Sequence, residues 1–437
     1  MTDELITLLD GIPIGRVLKG RSGKLSFHYD ESWQGRPRAY PLSLSMPLTL
    51  SEHPHAKIDA FLWGLLPDND RVIQNWAQRY QVSPGYSFGL IAHVGEDCAG
   101  AVQFIRPERL SKIQHEKPVQ EIDWLTEDQL AERLRNLRRD HAAWRTPQDT
   151  GQFSLAGAQP KTALLFERGR WGVPSGRTPT THILKPPTGE WDGHAENEHF
   201  CLELARALGL TVASSSVSRF RDETAIVIER YDRARAAGAL VRIHQEDMCQ
   251  AHALPPTKKY ENEGGPGVRR IVDLLRNHSS RREEDVQNFI DAIAFNWLIA
   301  GTDAHAKNYS VLIGANGAVR FAPLYDVASI LPYKGMNLMK AKLAMKIGSM
   351  YRLRFIGIAQ WKKLAAEARL DSDPLMSRIA GLAEALPDQA ETIKRRVQAE
   401  GLSNPLITKL ANQLEARALE CRRRLRQSGA ATHQPVG

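Results

Sequence analysis

The chain has 437 residues, 42% of them hydrophobic and 25% charged with both signs interspersed, which predicts a folded protein of two or three globular units. A net charge of +8 and a pI near 9.3 leave room for an anionic partner such as nucleic acid, a nucleotide or an acidic protein, beside the plain reading of a modestly basic protein. The most apolar stretch, "FIDAIAFNWLIAG", is too short to span a bilayer and carries Asp291 and Asn296, so no membrane segment is expected.

The first residues, "MTDELITLLD", bring acids where a signal peptide has a basic region, so a cytoplasmic protein is expected. "LITLLDGIPIGRVLKG" and "LSFHYDESW" read as strands separated by a Gly-Pro turn and a glycine-rich one, with alternation through Leu25, Phe27 and Tyr29. "FLWGLLPDNDRVIQNWAQRYQV" reads as helix, broken near Pro67 and restarted by an Asp68 cap. With the strand "GAVQFIRP", these elements predict a β-rich accessory domain over residues 1–110. A linker and an amphipathic helix follow over 111–148. "KTALLFE", "RWGVPSG" and "THILKPP" look like successive strands of an antiparallel sheet, and "AENEHFCLELARALGL" like a helix ended by Gly209. "TAIVIERYDR" reads as a buried strand. Residues 149–250 therefore form a sheet-bearing lobe and 251–437 a mostly helical one, an α+β, two-lobed plan. Cys98, Cys201, Cys249 and Cys421 are far apart with no CxxC pair, so reduced core residues are expected. The arginine-rich runs at 133–145 and 420–427 read as solvated helix faces.

Phosphoryl transfer needs a loop that holds phosphates, a lysine to brace them, oxygen ligands for Mg²⁺ and an acceptor for the hydroxyl proton. "FSLAGAQPKTALLF" is rich in small residues just before a strand, as close backbone approach to phosphates requires. Lys185 ends a strand; an inward lysine calls for an anion or a carboxylate, and the next helix offers Glu198 or, alternatively, Glu196. Asp303 and Asn308 in "GTDAHAKNYSVLIG" have the D-x-x-x-x-N spacing of a catalytic base and a metal-binding amide. Asp326, after two further strands, suits a second Mg²⁺ ligand. Two other readings carry less. Asp303 and His305 form a D-x-H pair that could bind zinc, but "HAENEH" is the only histidine cluster and has the wrong order for a metallohydrolase. His244 could be a base, with packing or capping as the plainer role.

In order along the chain, "FSLAGAQPKTAL", "HILKP", "IERYDR", "HQEDMCQA", "KYENEGGPG", "TDAHAKNYS" and "PLYDVAS" resemble the motifs of HipA-type serine/threonine kinases, the toxin components of bacterial toxin–antitoxin pairs. "YPLSLSMPL" and "FLWGLLPDNDRVIQNWA" resemble the amino-terminal subdomain of that family, so the likeness covers roughly residues 1–345. It implies a protein-kinase-like fold of the PI3/4-kinase-like variety that uses ATP and Mg²⁺. It casts Asp303 as base, Asn308 and Asp326 as metal ligands, Lys185 as the ATP-bracing lysine, and Ala156, Gly157, Ala158, Gln159 and Lys161 as phosphate loop. Glu229, Arg230 and Tyr231 fall at the adenine hinge, His305 and Lys307 at further nucleotide contacts, and Ser154 at the autophosphorylated serine, whose modification ejects the loop. The arginine-rich segment 133–145 is one candidate dock for a phosphorylated loop. The implied partners are a HipB-like helix-turn-helix antitoxin, operator DNA through that complex, and a protein substrate such as an aminoacyl-tRNA synthetase. A nucleoid-associated location in the bacterial cytoplasm follows from that complex. No glycine follows Asp326 in this sequence, so eukaryotic-kinase rules do not define an activation segment here. A small-molecule kinase of the same fold, and a DNA-associated co-repressor that has lost catalysis, are the alternative readings.

Overall fold

Asp10 and Gly11 both adopt positive φ, 47° and 78°, the two-residue turn whose twist suits an antiparallel hairpin. They join β1 (Glu4–Leu9) to β2 (Ile12–Lys19). Pro13, expected in the turn, instead lies within β2 opposite Leu8, at the bulge where the register shifts, a place that tolerates a residue with no N–H. β3 (Leu25–Tyr29) buries Leu25, Phe27 and Tyr29 in the expected alternation. With β4 (Glu52–Pro54) and β5 (Val102–Ile105) it completes a five-stranded sheet in the order β4-β3-β2-β1-β5. The computed structural model describes residues 3–110, 122–140, 154–174, 178–187, 193–236 and 238–426.

Helices α1 (His55–Leu65), α2 (Asp70–Tyr80) and α3 (Ser87–Val94) share this sheet's core through Phe61, Leu62, Trp76 and Ile91. The break at Pro67 is present, but the cap that restarts the helix is Asn69, whose side chain accepts the N–H groups of Arg71 and Val72. Asp68 is thereby released from the capping role expected of it.

A six-stranded antiparallel sheet follows, in the order β10-β11-β9-β7-β8-β6. Its strands are β6 (Ile122–Leu125), β7 (Thr162–Glu167), β8 (Arg170–Pro174), β9 (His182–Lys185), β10 (Ser215–Phe220) and β11 (Glu223–Glu229). Part of the segment read as a linker thus supplies an edge strand, and then α4 (Glu127–Arg139), started by a Thr126–Gln129 capping box. Leu130 and Leu134 of α4 pack on Leu164, Leu184 and Ala225 of the sheet. Helix α5 (His194–Ala207) ends as expected, with Gly209 at φ 89°.

After the hairpin of β12 (Arg233–Ala236) and β13 (Ala239–Arg242), a small antiparallel sheet of β14 (His244–Asp247), β15 (Ser310–Ile313) and β16 (Val319–Phe321) sits in the helical lobe. Helices α6 (Val268–His278), α7 (Arg282–Leu298), α8 (Ile358–Glu367), α9 (Ser372–Ala399) and α10 (Pro405–Arg426) build the rest of that lobe. The four cysteines are buried and free. Among the described residues no helix is long and apolar enough to cross a membrane.

Polar contacts tie the accessory domain to the lobes. Asp97 accepts from Arg233 at 2.9 Å, Arg242 at 3.1 Å and Thr180 at 2.8 Å, all buried. His244 Nε2 lies 2.8 Å from the Leu42 carbonyl, and burial pulls its pKa down to about 4; a neutral packing role fits, and a general base does not. Glu246 Oε1 accepts the Leu44 N–H at 2.7 Å. Burial pushes its carboxyl up to about 8, against hydrogen bonds from Ser43 and Leu44 that favour the anion. The folded chain therefore keeps a proton that the unfolded chain releases above about 4.5. Stability present below that pH is lost as pH rises toward 8. Glu246→Gln, a neutral isostere, should melt with a flatter pH dependence between these values and be more stable than the parent above pH 8. An unchanged pH–melting profile would contradict this.

Candidate active site

A cavity of about 680 Å³ lies where the six-stranded sheet meets the helical lobe. Strand β9 delivers Lys185 to its wall, 6% exposed. The Lys185 ammonium donates to both oxygens of Glu198, at 2.9 and 3.2 Å, and to Asp326 Oδ1 at 3.0 Å. Burial pulls its pKa down, but the Asp326 and Glu198 carboxylates outweigh that and hold it above the ordinary lysine value. Asp326 is only partly buried, its side chain 37% exposed; desolvation raises its pKa, but Lys185 and Lys161 outweigh it and keep the carboxyl well below the usual range. It adopts φ 57°, uncommon for a residue other than glycine. Glu196 faces elsewhere and accepts from Asn404 at 3.1 Å, so Glu198 is the carboxylate that meets the lysine.

The small-residue loop folds over the cavity. Lys161 Nζ donates to the Ala156 carbonyl at 2.7 Å, closing the loop on itself. Burial and the nearby Lys185 lower the Lys161 pKa to about 8. Gly157 has φ 100°, a conformation that calls for glycine, and a Cβ there would also push on Lys161 Nζ, 2.5 Å away. Ala158 and Gln159 line the same cavity, with Gln159 Nε2 3.3 Å from His194 Nδ1. Ser154 does not face the cavity. Its hydroxyl is fully buried and donates to the Leu65 carbonyl of the accessory domain at 2.7 Å.

Across the cavity, the 3-10 turn Ala306–Asn308 leads into β15. The Asp303 carbonyl accepts the His305 N–H at 2.8 Å and Asn308 Nδ2 at 3.0 Å, and Asn308 Nδ2 also lies 3.5 Å from the Asp326 carbonyl. With its nitrogen held there, Asn308 has its amide oxygen left for a cation. Asp303 Oδ1 accepts the Tyr260 hydroxyl at 2.6 Å. His305 packs edge-on against Tyr260, and burial lowers its pKa. Lys307 donates to Asp247 at 3.0 Å and to the Gly64 carbonyl at 3.1 Å. At the hinge, Glu229, Arg230 and Tyr231 line the cavity, but the Arg230 guanidinium is committed to Asp232, Thr180 and the Cys98 carbonyl. Its main-chain N–H is engaged as well, donating to the Thr181 carbonyl at 2.9 Å. Tyr231 donates to Gln245.

The geometry adds Asp68, Lys259 and Asp247 to the cavity wall, and places the Tyr260 hydroxyl on Asp303 at its edge. Tyr260 lies within "KYENEGGPG" but 43 residues from Asp303, and no local spacing signals that pairing. No group of three or more His, Cys, Asp or Glu side chains suited to a metal occurs among the described residues. A carboxylate and an amide oxygen from Asp326 and Asn308 do fit Mg²⁺, which takes one or two protein oxygens together with waters and phosphates.

A sheet that buries a lysine against a helical glutamate, facing a helical lobe that carries an Asp–Asn turn, is the two-lobed plan of a kinase-like α+β fold. The chain belongs to the HipA family: residues 5–105 match the family described as HipA N-terminal domain and residues 153–390 the one described as HipA-like C-terminal domain. It is 34% identical over 411 residues to Y4mE of Sinorhizobium fredii, covering 94% of this chain and 96% of that protein. It is 28% identical over 389 residues to the serine/threonine-protein kinase toxin HipA of Shewanella oneidensis, covering 84% and 85%. A solved complex of the toxin–antitoxin system HipA, HipB and its operator DNA from Shewanella oneidensis MR-1 contains a similar chain. The TM-score is 0.80 at 25% identity, with 96% of this chain and 99% of that one covered.

Proposed function

We propose that this chain is an ATP- and Mg²⁺-dependent serine/threonine protein kinase acting as the toxin of a toxin–antitoxin pair. The observation that carries this reading is the Lys185–Glu198–Asp326 cluster facing the Asp303–Asn308 turn in one cavity. Lys185 and the amides of Ala156–Gln159 bind and orient phosphates, and the main chain at Glu229 and Tyr231 meets the base. Asp303 Oδ1 takes the proton of the acceptor hydroxyl at the position where the Tyr260 hydroxyl now donates. Asn308 and Asp326 would hold Mg²⁺, which when bound neutralises charge on the phosphates.

The Shewanella complex supports a HipB-like helix-turn-helix antitoxin and operator DNA as partners, and the net charge of +8 favours a place close to DNA. By family resemblance the substrate is an aminoacyl-tRNA synthetase or another translation protein, and the site of action the bacterial cytoplasm and nucleoid.

Autophosphorylation of Ser154 would limit this activity, by a route different from direct competition with ATP. The Ser154 hydroxyl donates to a carbonyl at the carboxyl-terminal end of α1, where the helix dipole is negative. A phosphate there adds about −1.5 to −2 charges, replaces the donor and is repelled, so the loop leaves its seat. The segment 133–145 is a poorer dock than its arginine content suggests: Arg135 and Arg138 are paired with Asp222 and Glu223, and residues 141–153 lie outside the described ones.

Asp303→Asn should keep the fold and nucleotide binding while lowering phosphoryl transfer by about 10²- to 10⁴-fold; wild-type turnover would overturn the role of the base. Incubation with Mg²⁺-ATP should place phosphate on Ser154 and weaken nucleotide binding. Mass spectrometry and nucleotide titration of one sample decide it, since full Ser154 phosphorylation with unchanged affinity would contradict the switch.

A further inference from the structure

The accessory domain reaches into the cavity through the end of α1. Helix ends leave carbonyls without partners of their own, and here the kinase lobes supply the donors. Gly64 O accepts from Lys307 Nζ at 3.1 Å and Leu65 O from Ser154 Oγ at 2.7 Å. Just beyond, the Asp68 N–H donates to the Gly157 carbonyl at 3.2 Å. The segment therefore grips the phosphate loop and the Asp303–Asn308 turn together.

Asp68 is the charged group at this junction. Its side chain is 8% exposed, with Oδ2 3.3 Å from Lys259 Nζ and Oδ1 3.8 Å from Lys307 Nζ. Both lysines line the cavity, and so does Asp68. Oδ1 makes no hydrogen bond among the described residues. Burial raises the pKa of Asp68, but Lys307 and Lys259 outweigh that and keep it ionised. An anion at the phosphate end of such a site would repel a nucleotide unless cations shared it. Lys307 is already shared with Asp247, which leaves Lys259, 19% exposed, as the cation whose placement depends most on Asp68.

We propose that Asp68 is a positioning residue: the accessory domain uses it to hold Lys259, and with it Lys307, in register with the phosphate loop, so the kinase site is complete only with that domain docked. The inference rests on the kinase reading above. A lysine misplaced by about 1 Å loses much of its transition-state contact, so the effect belongs in kcat.

The test uses the full chain, with initial rates of Mg²⁺-ATP turnover, the KM for ATP and the melting temperature measured in parallel. Asp68→Asn should lower kcat by about ten- to a hundredfold with little change in melting. Asp68→Glu, which keeps the charge, should recover part of the loss. Lys259→Met should show a similar loss, and the double variant should be no slower than the worse single, because both remove one interaction. An Asp68→Asn rate within about twofold of the parent, or losses that multiply in the double variant, would overturn the proposal. Should Asp68→Asn fail to fold, Lys259→Met decides alone: a parental rate would overturn the proposal. A parent chain with no Mg²⁺-ATP turnover would instead refute the kinase reading itself.

Discussion

Lys185 is a buried cation whose counter-ions come from two different parts of the chain, Glu198 on α5 of the sheet-bearing lobe and Asp326 beyond β16 in the helical lobe. A lone ammonium in that setting costs several kcal/mol to desolvate, so its presence requires both carboxylates to be close. That requirement fixes how α5 packs on the sheet and how the two lobes meet. It also fixes where the cavity opens, because the Asp303–Asn308 turn is bound to Asp326 through the Asn308 amide. A phosphate chain entering this site would meet a lysine already held between two carboxylates.

The accessory domain belongs to the same electrostatic system. Asp97 neutralises arginines from the segment after the hinge, and the end of α1 accepts donors from the phosphate loop and from the turn. Docking of this domain and shape of the active site are therefore one problem. The Ser154 hydroxyl is one of the bonds between them.

Features with a local cause were legible in the sequence. The alternation of Leu25, Phe27 and Tyr29, the Gly209 helix end and the D-x-x-x-x-N turn each depend on neighbours a few residues away, and each appears as expected. Glu196 and Glu198 could not be told apart before the sheet was seen. Residues two apart on a helix point about 200° apart, and only the position of β9 says which faces Lys185. Asp68 looked like a cap because Asp-Asn-Asp offers three candidates in a row; Asn69 took the role. The partners of Tyr260, Ser154 and Asp68 lie 43, 89 and 191 residues away, and no periodicity encodes such distances. Arg230 was read for its place in the hinge, whereas its side chain serves the buried ion network.

The most direct measurement is transfer of γ-phosphate label from ATP by the purified chain, with Mg²⁺, into a bacterial lysate. The expected result is label on serine or threonine of protein, lost when Mg²⁺ is chelated. Label found only in small molecules, or no transfer into protein at all, would contradict a protein kinase at this site.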